Sequence, residues 1–225
     1  MSMLSRFATT GGGGDPYWNN VSYLLVGNGV NGTTTNIVDS SKNSLAITVV
    51  SSQISTAQSK YGSGSVFDNG GYLSTPSTTV LQLNGVSFTL EGWCYPTGGS
   101  SYRSFLSKRT GGAAEYEVGI DPSGYMYVYI GTTVYVTSTT VTLNTWSYFT
   151  VTYDGTNLRL FQGGVLRTTT AMSGAGSGSG SLAIFREAGT LMQQYSGYLY
   201  DIRITKGVAR YTATFTPPTA AMPIG

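Results

Sequence analysis

The sequence predicts an all-β domain of sandwich or barrel type behind an extended N-terminal arm. Three observations carry that prediction. Short runs rich in β-branched and aromatic residues recur from about Tyr17 onward. Turn-forming Gly, Pro, Asn and Asp clusters punctuate them. No stretch shows the 3.6-residue periodicity of an amphipathic helix. Many short strands with regular turn signals are the pattern of a sandwich or barrel, and 225 residues suffice for one large domain of that kind with its own core.

The elements follow in order. Residues 1–16 form a small, polar arm containing Gly11 to Gly14. Arg6, Phe7, Tyr17 and Trp18 are its candidate attachment residues, and residues 17–225 form the domain. Val21 to Val26 is a strand, ended by Gly27-Asn28-Gly29. Phe88 to Tyr95 alternates and stops at Pro96. Tyr102-Arg103 and Lys108-Arg109 flank an expected hairpin at Phe105-Leu106-Ser107. Arg beside Tyr suits a polar recognition surface, although exposed loop charges usually serve only solvation. Trp146 to Tyr153 is a further strand, turning at Asp154-Gly155 into Leu158 to Phe161. Gly174 to Ser181 reads as a flexible loop or a turn-rich lead-in to a strand, and Tyr198 to Thr205 as a late strand.

One hairpin can be registered residue by residue. In Asp121-Pro122-Ser123-Gly124, Pro presets the first turn angle and Gly accepts the left-handed position. The resulting three-residue loop with a bulge pairs Ile120 with Met126, Gly119 with Tyr127, Val118 with Val128 and Glu117 with Tyr129. Val118, Ile120, Met126, Val128 and Ile130 then share one face. Tyr125, Tyr127 and Tyr129 share the other with Glu117, so that face is expected to point outward, with Tyr127 over Gly119. Outward tyrosines stack on sugars or fill protein interfaces. The plainer alternative is that β-propensity alone put the tyrosines there, or that a loop of the same chain covers them.

Composition excludes several functions. The chain has 12 Lys and Arg against 10 Asp and Glu, without a basic run, which argues against nucleic acid as a partner. With no His, it has no His-dependent triad and no His-liganded zinc or iron. The single cysteine, Cys94, precludes an intrachain disulfide and reads as a small buried hydrophobe. No apolar run reaches the length of a membrane span, so membrane insertion is not expected. The first residues lack the apolar core of a signal peptide. An extracellular-looking β-domain without a secretion signal suggests a virion protein made in the host cytoplasm.

Four segments in order resemble the laminin-G-like, concanavalin A-type domain. They are Phe67-Asp68-Asn69-Gly70-Gly71-Tyr72-Leu73-Ser74, Phe88 to Pro96, Trp146 to Gly155, and Gly197 to Ile204. Lys206 to Tyr211 and Phe215 to Pro218 are similar to the tail of this domain in phage structural proteins. The resemblance covers about residues 17–223 and implies a two-sheet antiparallel jelly roll. Members of that family bind glycans, bind proteins or only build structure, and with the phage-like tail the expected role is non-enzymatic, in capsid decoration or a tail fibre. Other virion proteins, sister copies and cell-surface glycans would be the partners. The alternative is a free-standing carbohydrate-binding module using the tyrosine face.

No cofactor is expected. Some relatives hold a structural calcium with an aspartate at the position of Tyr200. Here the acid is the neighbouring Asp201, expected on the opposite face, which leaves Asp201 and Asp39 as weak metal candidates. Asp39 reads first as an Asx-turn residue bonding its own backbone. The fold class also includes glycoside hydrolases, which need two carboxylates across a cleft. Glu115 and Glu117 are the only strand-spaced pair and are expected to lie on a solvated edge. Glu91 stands alone in an apolar strand.

Overall fold

The computed structural model describes residues 14–110, 113–176, 178–189 and 192–225. Fifteen strands follow one another among them, separated by turns and two short 3₁₀ segments. The first five are β1 (Val21–Leu25), β2 (Thr48–Val50), β3 (Gln53–Ser55), β4 (Ser65–Phe67) and β5 (Tyr72–Thr75). The middle five are β6 (Phe88–Pro96), β7 (Arg103–Thr110), β8 (Ala113–Ile120), β9 (Tyr125–Gly131) and β10 (Thr133–Thr140). The last five are β11 (Ser147–Tyr153), β12 (Asn157–Gln162), β13 (Val165–Ala171), β14 (Leu182–Ile184) and β15 (Gly197–Lys206).

They form a two-sheet antiparallel jelly-roll sandwich. One sheet has the order β13-β12-β11-β6-β15-β4-β3, with β1 also paired to β15. The other has the order β10-β9-β8-β7-β14-β5-β2. Between them lies a core that includes Leu90, Cys94, Phe149, Val151, Leu160 and Ile204 from the first sheet. Tyr116, Val118, Ile120, Met126, Val128 and Phe105 meet them from the second. Alternation explains the division, because every second side chain of a strand points to one face.

The β8–β9 register matches the sequence reading. Glu117 pairs with Tyr129, Val118 with Val128, Gly119 with Tyr127 and Ile120 with Met126. Gly124 holds a φ of 91°, the left-handed position the turn requires. The segment Phe105 to Ser107 is not a hairpin. It lies inside the continuous strand β7, whose partner β8 begins only after Thr110.

A second, smaller core covers the outside of the first sheet. Val21, Leu24, Trp93, Tyr148, Tyr200 and Met222 are buried there, with Trp18, Tyr61, Trp146 and Phe215 packed against them. Trp93 belongs to this outer layer, and Trp146 packs against it. Beneath it the lone Glu91 has partners: Arg203 Nε and Tyr148 Oη donate to its two oxygens at 2.8 and 2.7 Å. Asp15 joins the same network, accepting from Arg203 Nη1 at 2.9 Å and from Arg210 Nη2 at 2.7 Å. Asp15, assigned to the arm from sequence, is therefore fastened to the fold. Tyr17 lies under the Arg210 guanidinium at 5.1 Å. Arg6 and Phe7 fall outside the described residues.

Candidate functional site

The tyrosine row lies on the outer face of the second sheet, yet it is not uniformly exposed. Tyr125 and Tyr129 are half-buried, whereas Tyr127 is 1 % exposed. The reason is a covering stretch, residues 185–189 and 192–195, that lies against β7. Phe185 N donates to Phe105 O at 3.1 Å, Tyr195 N to Phe185 O at 2.7 Å, and Ser104 N to Gln193 O at 2.9 Å. The expected solvated edge at Glu115 and Glu117 is overturned, since both are fully buried.

Beside this segment a cleft of about 250 Å³ stays open. Tyr102, Tyr127 and Tyr129 line it together with Arg109, Glu117, Gln193, Thr132 and Val134. Tyr102 and Tyr127 meet edge to face at 5.2 Å. The Arg109 guanidinium lies 5.0 Å above the Tyr129 ring. Tyr127 Oη donates to Glu117 Oε1 at 2.5 Å and also sits 2.9 Å from Gln193 Oε1. A phenol has one proton, and the shorter contact gives it to the carboxylate. Ser107 Oγ donates to Glu117 Oε2 at 3.0 Å.

Charge in the cleft is organised around Arg109. Its Nη1 is 3.5 Å from Glu117 Oε2 and its Nε is 3.3 Å from Glu187 Oε1. Burial raises the pKa of the Glu117 carboxyl above its ordinary value, and the adjacent Glu187 adds to the rise. Hydrogen bonds from Tyr127 and Ser107 and the charge of Arg109 oppose it without cancelling it. Burial raises the Tyr127 phenol far above its ordinary value, and the charge on Glu117 pushes it further. Glu115 takes no part in the cleft. It is held by Lys108 Nζ at 2.6 Å and by Leu83 N at 2.6 Å, within the protein.

Of the sequence candidates, then, Tyr102, Tyr127 and Tyr129 come together. Tyr125 lies at the turn end of the row and does not line the cleft. Arg103 is also elsewhere. It is 4 % exposed and donates to the carbonyls of Gly98 and Asp121, so it is a structural clamp rather than a surface group. Arg109, Glu117 and Gln193 were not anticipated as site residues. Glu117 and Arg109 are legible in hindsight as groups on the tyrosine face of β7–β9, but Gln193 reaches the cleft from a distant, aperiodic segment.

Neither metal candidate presents a cation site. Asp39 is buried and accepts from Leu24 N, Ser41 N and Leu45 N at 2.8–3.0 Å, and from Ser41 Oγ at 2.9 Å. It is the Asx-turn group the sequence suggested, extended into a clasp for β1. Asp201 sits at a bulge of β15 with a φ of 52°, which breaks the alternation. Its Oδ2 accepts from Met222 N at 2.7 Å, so its carboxylate faces the outer layer shared with Tyr200 and not the opposite face. Among the described residues no cluster of three His, Cys, Asp or Glu is placed to hold a metal ion. Cys94 is buried in the core, and burial pushes its thiol far above its ordinary pKa.

The family profile described as the concanavalin A-like lectin/glucanases superfamily matches residues 67–210. No curated protein sequence matches the chain. Solved structures resemble it in fold. The binding domain of Paraclostridial Mosquitocidal Protein 1 aligns with a TM-score of 0.65 and 14% identity, over 85% of this chain and 50% of that one. Domain 4 of the extracellular arabinanase AbnA from Geobacillus stearothermophilus, solved with arabinotriose, aligns at 0.61 and 13% identity, over 84% and 94%. A structure concerning botulinum neurotoxin type C and its two ganglioside molecules aligns at 0.59 and 12% identity, over 85% and 49%. The chain thus spans about half the length of the toxin domains and nearly all of the arabinanase domain.

Proposed function

This chain belongs to the concanavalin A-like lectin/glucanases superfamily, and from that premise we propose that it is a non-catalytic domain that binds glycans in the Tyr102–Tyr127–Tyr129 cleft. The observation that carries the reading is the make-up of that cleft. Aromatic rings offer faces for sugar C–H groups. Glu117, Gln193 and Arg109 offer acceptors and donors for hydroxyls. Arabinotriose on the arabinanase domain supports the reading, as a ligand of a protein with this fold. Hydrolysis is disfavoured by geometry. Glu115, the second acid of the strand-spaced pair, is locked to Lys108 and turned away from the cleft, so the two carboxylates a glycosidase needs are not presented by that pair.

The test is a titration of arabinotriose and lactose into the protein, followed by amide and aromatic NMR shifts. Binding should move the signals of Tyr102, Tyr129 and Val134. Tyr129→Ala should weaken it several-fold while leaving thermal stability nearly unchanged, because one stacked aromatic contact is worth roughly 0.5–1.5 kcal/mol. Sugar-induced shifts elsewhere, with none in the cleft, would move the site.

A second reading concerns the setting of the domain. The similarity of Lys206 to Tyr211 and Phe215 to Pro218 to the tail of phage structural proteins supports a place on a virion, as capsid decoration or a tail fibre. Residues 1–16 would be the attachment arm, and symmetric copies the mode of assembly. Removing residues 1–13, which spares Asp15, should abolish co-sedimentation with virions and leave sugar binding intact. Retained co-sedimentation would count against the arm.

A further inference from the structure

The cleft is selective for charge. Resting on the glycan reading above, we infer that it accepts a single uncharged sugar unit and rejects acidic ones, sialic and uronic acids included. The single guanidinium of the site is already engaged. Arg109 lies between two carboxylates, 3.5 Å from Glu117 and 3.3 Å from Glu187. Its planar face is turned to the Tyr129 ring at 5.0 Å. Recognition of a carboxylate by arginine draws on two parallel N–H donors of the fork. Here both edges that contact Glu117 and Glu187 are committed, so an incoming anion would have to compete with two resident ones.

The local charge sum points the same way. Arg109 with Glu117 and Glu187 carries one more formal negative charge than positive. The other cation of β7 close by, Lys108, is consumed by Glu115 at 2.6 Å and by the Gly178 carbonyl at 2.6 Å. Arg103 is spent on the carbonyls of Gly98 and Asp121. Both Glu117 and Glu187 are at most 2 % exposed, so bulk water screens them poorly. A further carboxylate brought into this cleft meets like charge in a low-dielectric setting. Size sets the remaining limit. At about 250 Å³ the cleft is smaller than the roughly 300–1,000 Å³ of sites for drug-sized ligands. It suits one ring of a glycan, with neighbouring units running out over Tyr102 and Thr132.

Matched sugars test this on the unaltered protein. Galactose is compared with galacturonic acid, and lactose with 3′-sialyllactose, by NMR titration at low and high salt. The neutral member of each pair should bind, with its acidic counterpart weaker by about tenfold or more at low salt. The gap should largely persist as salt rises, because both carboxylates are withdrawn from solvent. Glu187→Gln, which releases one edge of Arg109, should bring the acidic member closer to its neutral partner. Equal or tighter binding of the acidic sugars by the unaltered protein would overturn the charge selectivity and leave the glycan reading standing. No response from any of the four sugars at the cleft would overturn both.

Discussion

Tyr127 donates its phenolic proton to Glu117 at 2.5 Å, and both side chains are buried on what is geometrically the outer face of a sheet. The bond explains how a carboxylate persists there. Tyr127, Ser107 and Arg109 together supply the donors that water would otherwise give. Tyr127→Phe keeps the ring and removes only the proton donor. It should lower the free energy of unfolding by about 1–3 kcal/mol, the cost of leaving one buried acceptor short of a partner. Urea denaturation measures it. An unchanged midpoint would show that the Ser107 and Arg109 contacts alone satisfy Glu117.

Gly119 lies opposite Tyr127 in the β8–β9 pairing. A methyl group built there would stand 2.2 Å from the Arg103 carbonyl oxygen and 2.8 Å from a Tyr127 ring carbon. The backbone oxygen cannot yield without opening the β7–β8 ladder. Gly119→Ala is therefore expected to destabilise strongly and to disturb the cleft together with the sheet. Thermal unfolding should occur several degrees lower, since about 1 kcal/mol shifts the midpoint by roughly 2–4 °C for a domain of this size. A variant as stable as the parent would mean that the strand shifts at little cost.

The hairpin that carries these two residues was legible because its determinants are local. Asp121 to Gly124 specifies the turn, the turn specifies the register, and the register separates Val118 and Met126 from Glu117 and Tyr127. What the sequence concealed was long-range. Glu117 looked solvated because the segment that covers it, around Gln193, is more than seventy residues away and has no periodic pattern. Arg103 looked like a loop charge because its acceptors are backbone carbonyls, which no residue type reveals. Glu91 looked partnerless because its cross-strand neighbour, Arg203, is brought opposite it only by the bulge between Tyr200 and Arg203. Strict alternation gives no means of placing that bulge. Asp15 shows the same effect at the terminus, where its partner Arg210 is 195 positions away.

That outer network yields a further expectation. Glu91, Arg203, Asp15 and Arg210 are linked at 2.7–3.5 Å and nearly withdrawn from solvent. Removing one member strands the charges of the others. Glu91→Ala should therefore cost about 3–5 kcal/mol, the usual penalty for breaking a buried pair from one side. Replacing Glu91 and Arg203 together by apolar residues should cost less than the sum of the single changes. A double-mutant cycle with no coupling energy would contradict the network.

Asp201 makes stability depend on pH in the direction opposite to an ordinary ion-paired carboxylate. Its carboxyl is raised from 3.8 to about 7, chiefly by burial, with Glu91 adding to the rise. The Met222 amide and Arg203 oppose it, and its Oδ1 has no hydrogen-bond partner. A folded-state pKa above the unfolded one means that the folded state holds the proton more tightly. The contribution is complete below about pH 4 and is lost as pH rises through about 7. Glu117 and Asp68, both raised by burial, act in the same sense. For Asp15 burial also tends to raise the carboxyl, but Arg210 and Arg203 outweigh it and hold the group below its ordinary value, so its contribution is lost only as pH falls below about 4. The melting temperature should accordingly be higher at pH 5 than at pH 8. Asp201→Asn keeps an acceptor for Met222 N without the titrating proton. It should reduce the decline between pH 5 and 8 and raise the melting temperature most at the alkaline end. Calorimetry of the two proteins across that range decides the matter, and parallel curves for parent and variant would remove Asp201 from the explanation.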